Sequence, residues 1–277
     1  MRTRFIVIIV VVIILVMILG GRLIKNGPSN LNRKSASSLD RVSSQVGSYL
    51  KEAASFEEKG SLLEAKEIYL KLLEMDLESS EMELVQQKLE GLNIKILFSG
   101  VRIDESLLYE VKPRDSLFNI AKKFKTTVES ITRANNIKGT IIHPGMKLRI
   151  LNGTFSILVD KSSNILILKL DDEVVKTYDV STGINNSTPV GTHIIKTRLK
   201  DPVWYKNGKA IPPTSPKNIL GTRWLGFKKM STYGIHGTVT PDQIGQQITD
   251  GCVRMRNEDV EELYDLIPAG VKVTIMD

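Results

Sequence analysis

Cysteine is all but absent: Cys252 stands alone among 277 residues. That excludes an intrachain disulfide framework and a thiolate zinc cluster. Histidine is scarce too, and His143, His193 and His236 are the only imidazoles available as bases or ligands. Ten prolines and twenty glycines exclude a fibrous repeat. What is present is ordinary for globular proteins, with 42% hydrophobic and 25% charged residues. Wholesale disorder and a polytopic membrane protein are thereby ruled out, and the length suits two or three compact units.

The net charge of +7 is unevenly spread. Residues 1–39 carry six basic residues and no acid, and residues 40–108 are net −6. Residues 109–150 hold nine basic against three acidic residues, and residues 154–277 are net +1. A basic excess often points to nucleic acid. Here it sits at a membrane-type N-terminus and in one small module, which fits an anionic polymer or a cell-wall surface and no nucleic acid.

Phe5 to Gly21 is seventeen residues without a charge, between Arg2/Arg4 and Arg22/Lys25. A membrane span needs about 20 apolar residues, with a lower limit near 17. Arg22 can snorkel so that Leu23 and Ile24 extend the run. No small-residue cleavage site and no following cysteine accompany it, so residues 1–25 read as a signal anchor rather than a cleaved or lipidated leader. Residues 26–44 are Ser/Asn-rich and read as a flexible linker.

Residues 45–98 turn helical. Tyr49, Ala53 and Phe56 share one face, Gly60 breaks the run, and Leu62, Ala65, Ile68, Tyr69 and Leu72 form a second stripe. This spacing resembles a tetratricopeptide repeat, with a third helix over roughly Glu81–Leu97. One repeat makes little groove, so a helical spacer is favoured over a protein-docking site, and a partner for this segment stays an open alternative.

From Tyr109 to Ile150 the order reads strand, helix, helix, strand. Ser116 or Asp115 can cap the first helix, and Thr126-Thr127 opens the second. Ile142-His143-Pro144-Gly145 then turns into a strand. Residues 107–151 resemble a LysM domain. The resemblance implies a βααβ module binding N-acetylglucosamine-containing glycans, peptidoglycan in bacteria. The groove implied lies between two loops, with Asp115, Ser116, Leu117, Pro144 and Gly145 as candidate contacts. Arg114 stands where that family usually has Gly and is strained if the position needs positive φ. His143, alone in a turn, reads as a surface residue.

From Thr154 the pattern becomes β: Ser156–Asp160, Ile165–Leu170 and Val174–Tyr178 are strand-like runs split by polar turns. Arg198 to Asn218 reads as loop, with Asp201-Pro202, Asn207-Gly208 and Pro212-Pro213. Tyr233-Gly234-Ile235-His236-Gly237-Thr238 precedes Asp250-Gly251-Cys252-Val253-Arg254-Met255. A thiol needs a base before it becomes a nucleophile, and Cys plus His is the minimum set for acyl transfer through a thioester. On spacing alone the signal is weak, since a lone Cys is more often a small buried hydrophobe.

The surroundings sharpen it. Val180–Thr192, Leu220–Gly226, Tyr233–Thr238 and Thr249–Asn257 resemble, in order, the signatures of a YkuD-type L,D-transpeptidase catalytic domain, here residues 154–277. The resemblance implies a mainly-β domain with Cys252 and His236 facing each other across a cleft. It implies attack by Cys252 on the third residue of a peptidoglycan tetrapeptide stem, release of D-alanine, and transfer of the thioester to an amine of a second stem. His236 would move the protons, Thr249 would orient the histidine, and the Gly251 and Cys252 N–H groups would receive the oxyanion. No cofactor and no metal are required. Arg254, Gly237, Tyr233 and Trp224 are expected at the substrate. For Arg254 a structural salt bridge is the alternative, and for the aromatics core filling is. Asn257 reads as a helix N-cap and His193 as structural. Asp250 replaces the family's usual His and opposes thiolate formation unless it pairs with cationic His236. Hydrolysis of the same thioester, or a non-catalytic wall tether, are the competing functions. The expected architecture is therefore multidomain: transmembrane helix, helical hairpin, small α+β module and mainly-β catalytic domain, with the catalytic part outside the cell membrane.

Overall fold

The computed structural model describes residues 36–277, with side chains from residue 44 onward. The expected membrane segment over residues 1–25 lies outside the described residues. Among the described residues no helix is long and apolar enough to cross a membrane. The chain divides into two compact units, residues up to 92 and residues from 93.

The first unit is helical. Helix α1 (Ala36–Glu58) and helix α2 (Leu62–Leu73) form a hairpin, followed by α3 (Ser79–Leu97), within which the boundary between the units falls. Val46 and Ala53 of α1 and Leu62, Ala65, Tyr69 and Leu72 of α2 are buried. Gly60 takes φ +77 and closes α1, with Ser61 N–H donating to Phe56 O and Gly60 N–H to Glu57 O. That pair of bonds is a Schellman stop, which is why a glycine stands there. The linker expected over residues 26–44 is shorter: the chain is already helical at Ala36. Serine content suggests a linker, but Val42, Val46, Tyr49 and Ala53 continue the helical spacing backward.

In the second unit, β1 (Ser106–Glu110), α4 (Leu117–Phe124), α5 (Val128–Ala134) and β2 (Lys147–Leu151) follow in the expected order. The two strands pair antiparallel, Tyr109 opposite Leu148. Ser116 Oγ accepts from Asn119 N–H and Thr127 Oγ1 from Ser130 N–H, so both helices are side-chain capped. Leu117, Ile120, Ile131, Leu148 and Ile150 form the small core. Arg114 does adopt φ +73, in a turn closed by Asp115 N–H to Lys112 O. A glycine would carry this conformation without strain.

The remaining chain builds an eight-stranded mixed sheet. Its strands are β3 (Phe155–Asp160), β4 (Ile165–Leu170), β5 (Glu173–Asp179), β7 (Gly191–Lys200), β10 (Arg223–Phe227), β11 (Gly234–His236), β13 (Val253–Arg254) and β14 (Lys272–Met276). The order is β13-β11-β10-β7-β14-β3-β4-β5. Short β6 (Thr182–Gly183) pairs with β12 (Gln247–Thr249). Helix α6 (Asn257–Leu266) buries Val260, Leu263, Tyr264 and Leu266 in the main core. The stretch read as loop contains a hairpin, β8 (Trp204–Lys206) and β9 (Lys209–Ile211). Its turn residues Asn207 and Gly208 both have positive φ, as a two-residue hairpin requires.

The small module is docked on the catalytic domain. Thr127 Oγ1 donates to Asp265 O, and Arg133 pairs with Asp265 at 2.9 Å. Glu129 meets Lys200 at 3.0 Å and Arg198 at 3.6 Å. Burial opposes ionisation of Glu129, yet the Lys200 bond and the Arg198 charge hold its carboxyl below the ordinary value.

Candidate active site

The register of three neighbouring strands places the expected residues. Trp224 lies opposite His236, and His236 lies beside Arg254. Side chains paired across strands share one face of the sheet. Trp224, His236 and Arg254 therefore form a row, and Ser181 bridges to Arg254 at its far end. The next row is Gly226 opposite Gly234, with Cys252 following one residue before β13. Val253 and Met255 are wholly buried, so Cys252 and Arg254 occupy the opposite face of that segment. Cys252 and His236 are thus diagonal neighbours on adjacent strands of one sheet face, not residues on facing walls of a cleft.

The glycines in the second row have a steric cause. A Cβ on Gly226 would come 2.5 Å from Trp224 Nε1, and one on Gly234 would come 3.1 Å from Trp224 Cζ2. The indole lies across both glycines and stacks on the His236 ring, with centroids 5.8 Å apart. Trp224 therefore covers the histidine, which is 2% exposed.

His236 Nδ1 lies 2.7 Å from Gly237 O. A carbonyl only accepts, so Nδ1 carries the proton and Nε2 keeps the lone pair. Burial pushes the imidazole down to about 4; the Gly237 carbonyl works against this and the Arg254 charge adds to it. Burial pushes the Cys252 thiol up, Asp250 adds to the rise, and a Gly234 backbone hydrogen bond and Arg254 oppose it. The resting pair is neutral thiol and neutral imidazole near neutral pH.

Several expected roles change. Thr249 does not reach the histidine: its Oγ1 donates to Cys252 O at 2.7 Å and accepts Gly251 N–H at 3.1 Å. It closes the turn that presents the cysteine. The Gly251 N–H is thereby engaged and is not an oxyanion donor, which leaves Cys252 N–H as the candidate. Gly251 itself needs its φ of +119, and a Cβ there would come 2.6 Å from Tyr233 Cε1. Tyr233 thus leans on the cysteine turn. Gly237 is buried behind His236, not at a substrate surface.

Asn257 is not the N-cap. Arg256 occupies that position with no side-chain capping bond, and α6 begins at Asn257. Asn257 Oδ1 instead accepts Thr222 N–H at 3.2 Å and Thr238 N–H at 3.1 Å. A Cβ on Gly221 or Gly237 would each come 2.2 Å from that oxygen. Asn257 therefore ties the loop after His236 to the loop before β10, and its clamp explains the flanking glycines. An Asn before Glu and Asp carries no signal of this role.

Lys161 was also missed. It is 2% exposed, and its Nζ donates to Thr188 O at 3.0 Å and meets Asp277 at 2.8 Å. It secures the loop from Gly183 to Thr188, whose Ser187 O would lie 3.3 Å from a Cβ on Gly251. A lysine after a strand reads as solvated, and only the returning loop buries it.

Arg254 makes no ion pair among the described residues, and its Nε is buried without a hydrogen-bond partner. The salt-bridge alternative is thus not realised. His193 stacks on Phe227 at 4.9 Å and contacts Pro189 O, in a structural role. His143 is exposed in its turn. Among the described residues no group of three His, Cys, Asp or Glu side chains converges as metal ligands.

In the small module, Val111 O accepts Gly145 N–H and Val111 N–H donates to Met146 O, which brings the two candidate glycan loops together. Pro144 and Gly145 are exposed. Leu117 is buried in the module's core, and Ser116 is occupied as the helix cap. Asp115 accepts from Tyr109 Oη and Lys112 N–H, both at 2.8 Å. These three side chains build the loop rather than offer themselves to a ligand.

Residues 154–275 match the L,D-transpeptidase catalytic domain family of the YkuD type, and residues 109–151 match the LysM domain family. The chain is 38% identical over 132 residues to the L,D-transpeptidase YqjB of Bacillus subtilis, covering 46% of this chain and 74% of that protein. It is 34% identical over 178 residues to the L,D-transpeptidase YkuD of Bacillus licheniformis, covering 61% of this chain and 98% of that protein. The solved L,D-transpeptidase from Mycobacterium smegmatis is 17% identical with a TM-score of 0.39, covering 48% of this chain and 64% of that one.

Proposed function

This chain belongs to the YkuD-type family of cysteine-dependent L,D-transpeptidases, and from that premise we propose that it crosslinks peptidoglycan stems through a Cys252 thioester. The observation that carries this reading is the pairing register, which sets the only thiol diagonal to a neutral imidazole on one sheet face. His236 Nε2 takes the Cys252 proton as Sγ attacks the carbonyl of the third stem residue. Cys252 N–H receives the oxyanion. His236 then protonates the leaving D-alanine amine, and the thioester remains. A side-chain amine of a second stem attacks it, the C–N bond forms, the C–S bond breaks, and the amine proton returns through His236 to the thiolate. The unpaired Arg254 guanidinium suits a substrate carboxylate. The LysM module holds the enzyme on glycan strands, with Pro144 and Gly145 in its exposed loop.

Location is part of the proposal. The apolar run Phe5–Gly21 anchors the chain in the cell membrane with residues from 26 onward on the outer side, where stem peptides are found. A mature protein isolated from membranes with a shortened N-terminus would refute the anchor.

The decisive test incubates residues 36–277 with purified disaccharide-tetrapeptide and reads products by mass spectrometry. Dimer supports the transpeptidase, tripeptide alone supports hydrolysis, and no product supports a wall tether. Solved relatives include an L,D-transpeptidase with a faropenem-derived adduct and one in complex with imipenem. The strained lactam carbonyl of a carbapenem is open to attack by the same thiol, so a carbapenem should add once per chain to wild type and not at all to Cys252→Ala.

A further inference from the structure

The turn that presents Cys252 carries a carboxylate at its tip. Asp250 is exposed at the tip of the turn, between buried Thr249 and Gly251. Thr249 Oγ1 spans the turn in both directions, to Cys252 O and from Gly251 N–H, so the tip is held in place. Among the described residues the Asp250 carboxylate makes no ion pair and no hydrogen bond. It does not pair with Arg254, two residues beyond the cysteine, nor with His236, which is buried and neutral. The nucleophile is thus flanked in sequence by an exposed anion and by a guanidinium on its own sheet face, two charges that act on each other without forming an ion pair.

In the first half of the reaction this anion is a handicap, because it adds to the cost of forming the thiolate. The second half has the opposite electrostatics. As an amine attacks the thioester carbonyl, its nitrogen becomes positive before its proton is passed on. A carboxylate beside that nitrogen stabilises the charge as it develops and draws ammonium-bearing acceptors to the site beforehand.

The geometry points to Asp250 as a specificity-determining residue that favours an amine acceptor over water in the second step. This rests on the thioester reading above. The atoms balance as in that scheme: the C–N bond forms, the C–S bond breaks, and the amine proton reaches the Cys252 thiolate through His236. Asp250 lies outside this proton path.

The test is the ratio of dimer to tripeptide made from the disaccharide-tetrapeptide by wild type, Asp250→Asn and Asp250→Glu. One unit charge facing another near a protein surface supports a change of about fivefold. Asp250→Asn is expected to lower the ratio by about that factor while speeding carbapenem acylation of Cys252, and Asp250→Glu to restore the ratio. The difference between wild type and Asp250→Asn should shrink at about 0.5 M salt, where screening acts within a few ångströms. A turn that merely loosened would slow both products together and show no salt effect. An unchanged ratio in Asp250→Asn, with Cys252 still acylated, overturns this assignment alone, whereas a wild type that makes only tripeptide overturns it together with the crosslinking reading and leaves the thioester standing. A wild type that is never acylated overturns the thioester reading itself.

Discussion

His236 couples the stability of the catalytic domain to pH. The imidazole is 2% exposed, stacked on Trp224, and pushed from 6.5 down to about 4, chiefly by burial. The unfolded chain therefore binds a proton at pH values where the native state does not. The associated stability is fully present above pH 6.5 and is lost as pH falls toward about 4. At about 1.4 kcal/mol per tenfold, the whole window is worth about 3 kcal/mol, and roughly 2 kcal/mol is gone by pH 5. The perturbation is His236→Gln, which removes the titrating group and keeps an N–H donor for Gly237 O. Both tryptophans, Trp204 and Trp224, belong to the catalytic domain, so their fluorescence follows its unfolding in urea. The wild type should lose about 2 kcal/mol more than His236→Gln between pH 7 and pH 5, other titrations being common to both. Parallel losses in the two proteins would refute the burial argument. A larger loss in the variant would mean that the wild-type imidazole is stabilised as a cation.

Cys252 acylation by a carbapenem should rise with pH through the neutral range toward the elevated thiol value. In His236→Ala it should be slower throughout and partly recover at high pH; a flat wild-type profile would indicate a preformed thiolate–imidazolium pair. Asn257→Leu leaves the Thr222 and Thr238 N–H groups without their acceptor and should cost about 3 kcal/mol in urea unfolding, at 1–3 kcal/mol for each orphaned donor. An unchanged midpoint would show that these loops stand without the clamp. Glu129→Gln removes the charge that Lys200 and Arg198 hold. It should raise hydrogen exchange across residues 126–134 while leaving Cys252 acylation unchanged, and unaltered exchange would mean that the Asp265 contacts suffice for docking.

Period and punctuation carried much of this protein. Helical spacing marked the hairpin stripes and Gly60, β-rich runs split by polar turns marked β3 to β5, and capping residues marked both helices of the small module. The site was legible where chemistry is local to a motif: a single thiol and a histidine, each in a glycine-flanked turn. The hairpin at Asn207-Gly208 was present in the turn chemistry and hidden by the surrounding prolines and polar residues. The start of α1 was hidden by serines, whose composition outweighed a spacing that ran on through them.

What the sequence determined by itself was the set of groups and the local geometry that spacing imposes. Hydrogen-bonding capacity and apolar periodicity belong to each residue, and they survive in any fold that buries the stripes. Which donor met which acceptor was decided only in three dimensions. Thr249 closes its own turn instead of reaching His236, Gly251 spends its N–H on Thr249, and Asn257 clamps two loops 35 and 19 residues away. Lys161 is buried only because the Thr188 loop returns over it. The Thr249 bonds close within one turn, whereas the Asn257 and Lys161 contacts join segments that only the folded sheet brings together, and neighbours set across long stretches of chain leave no trace in the residues on either side.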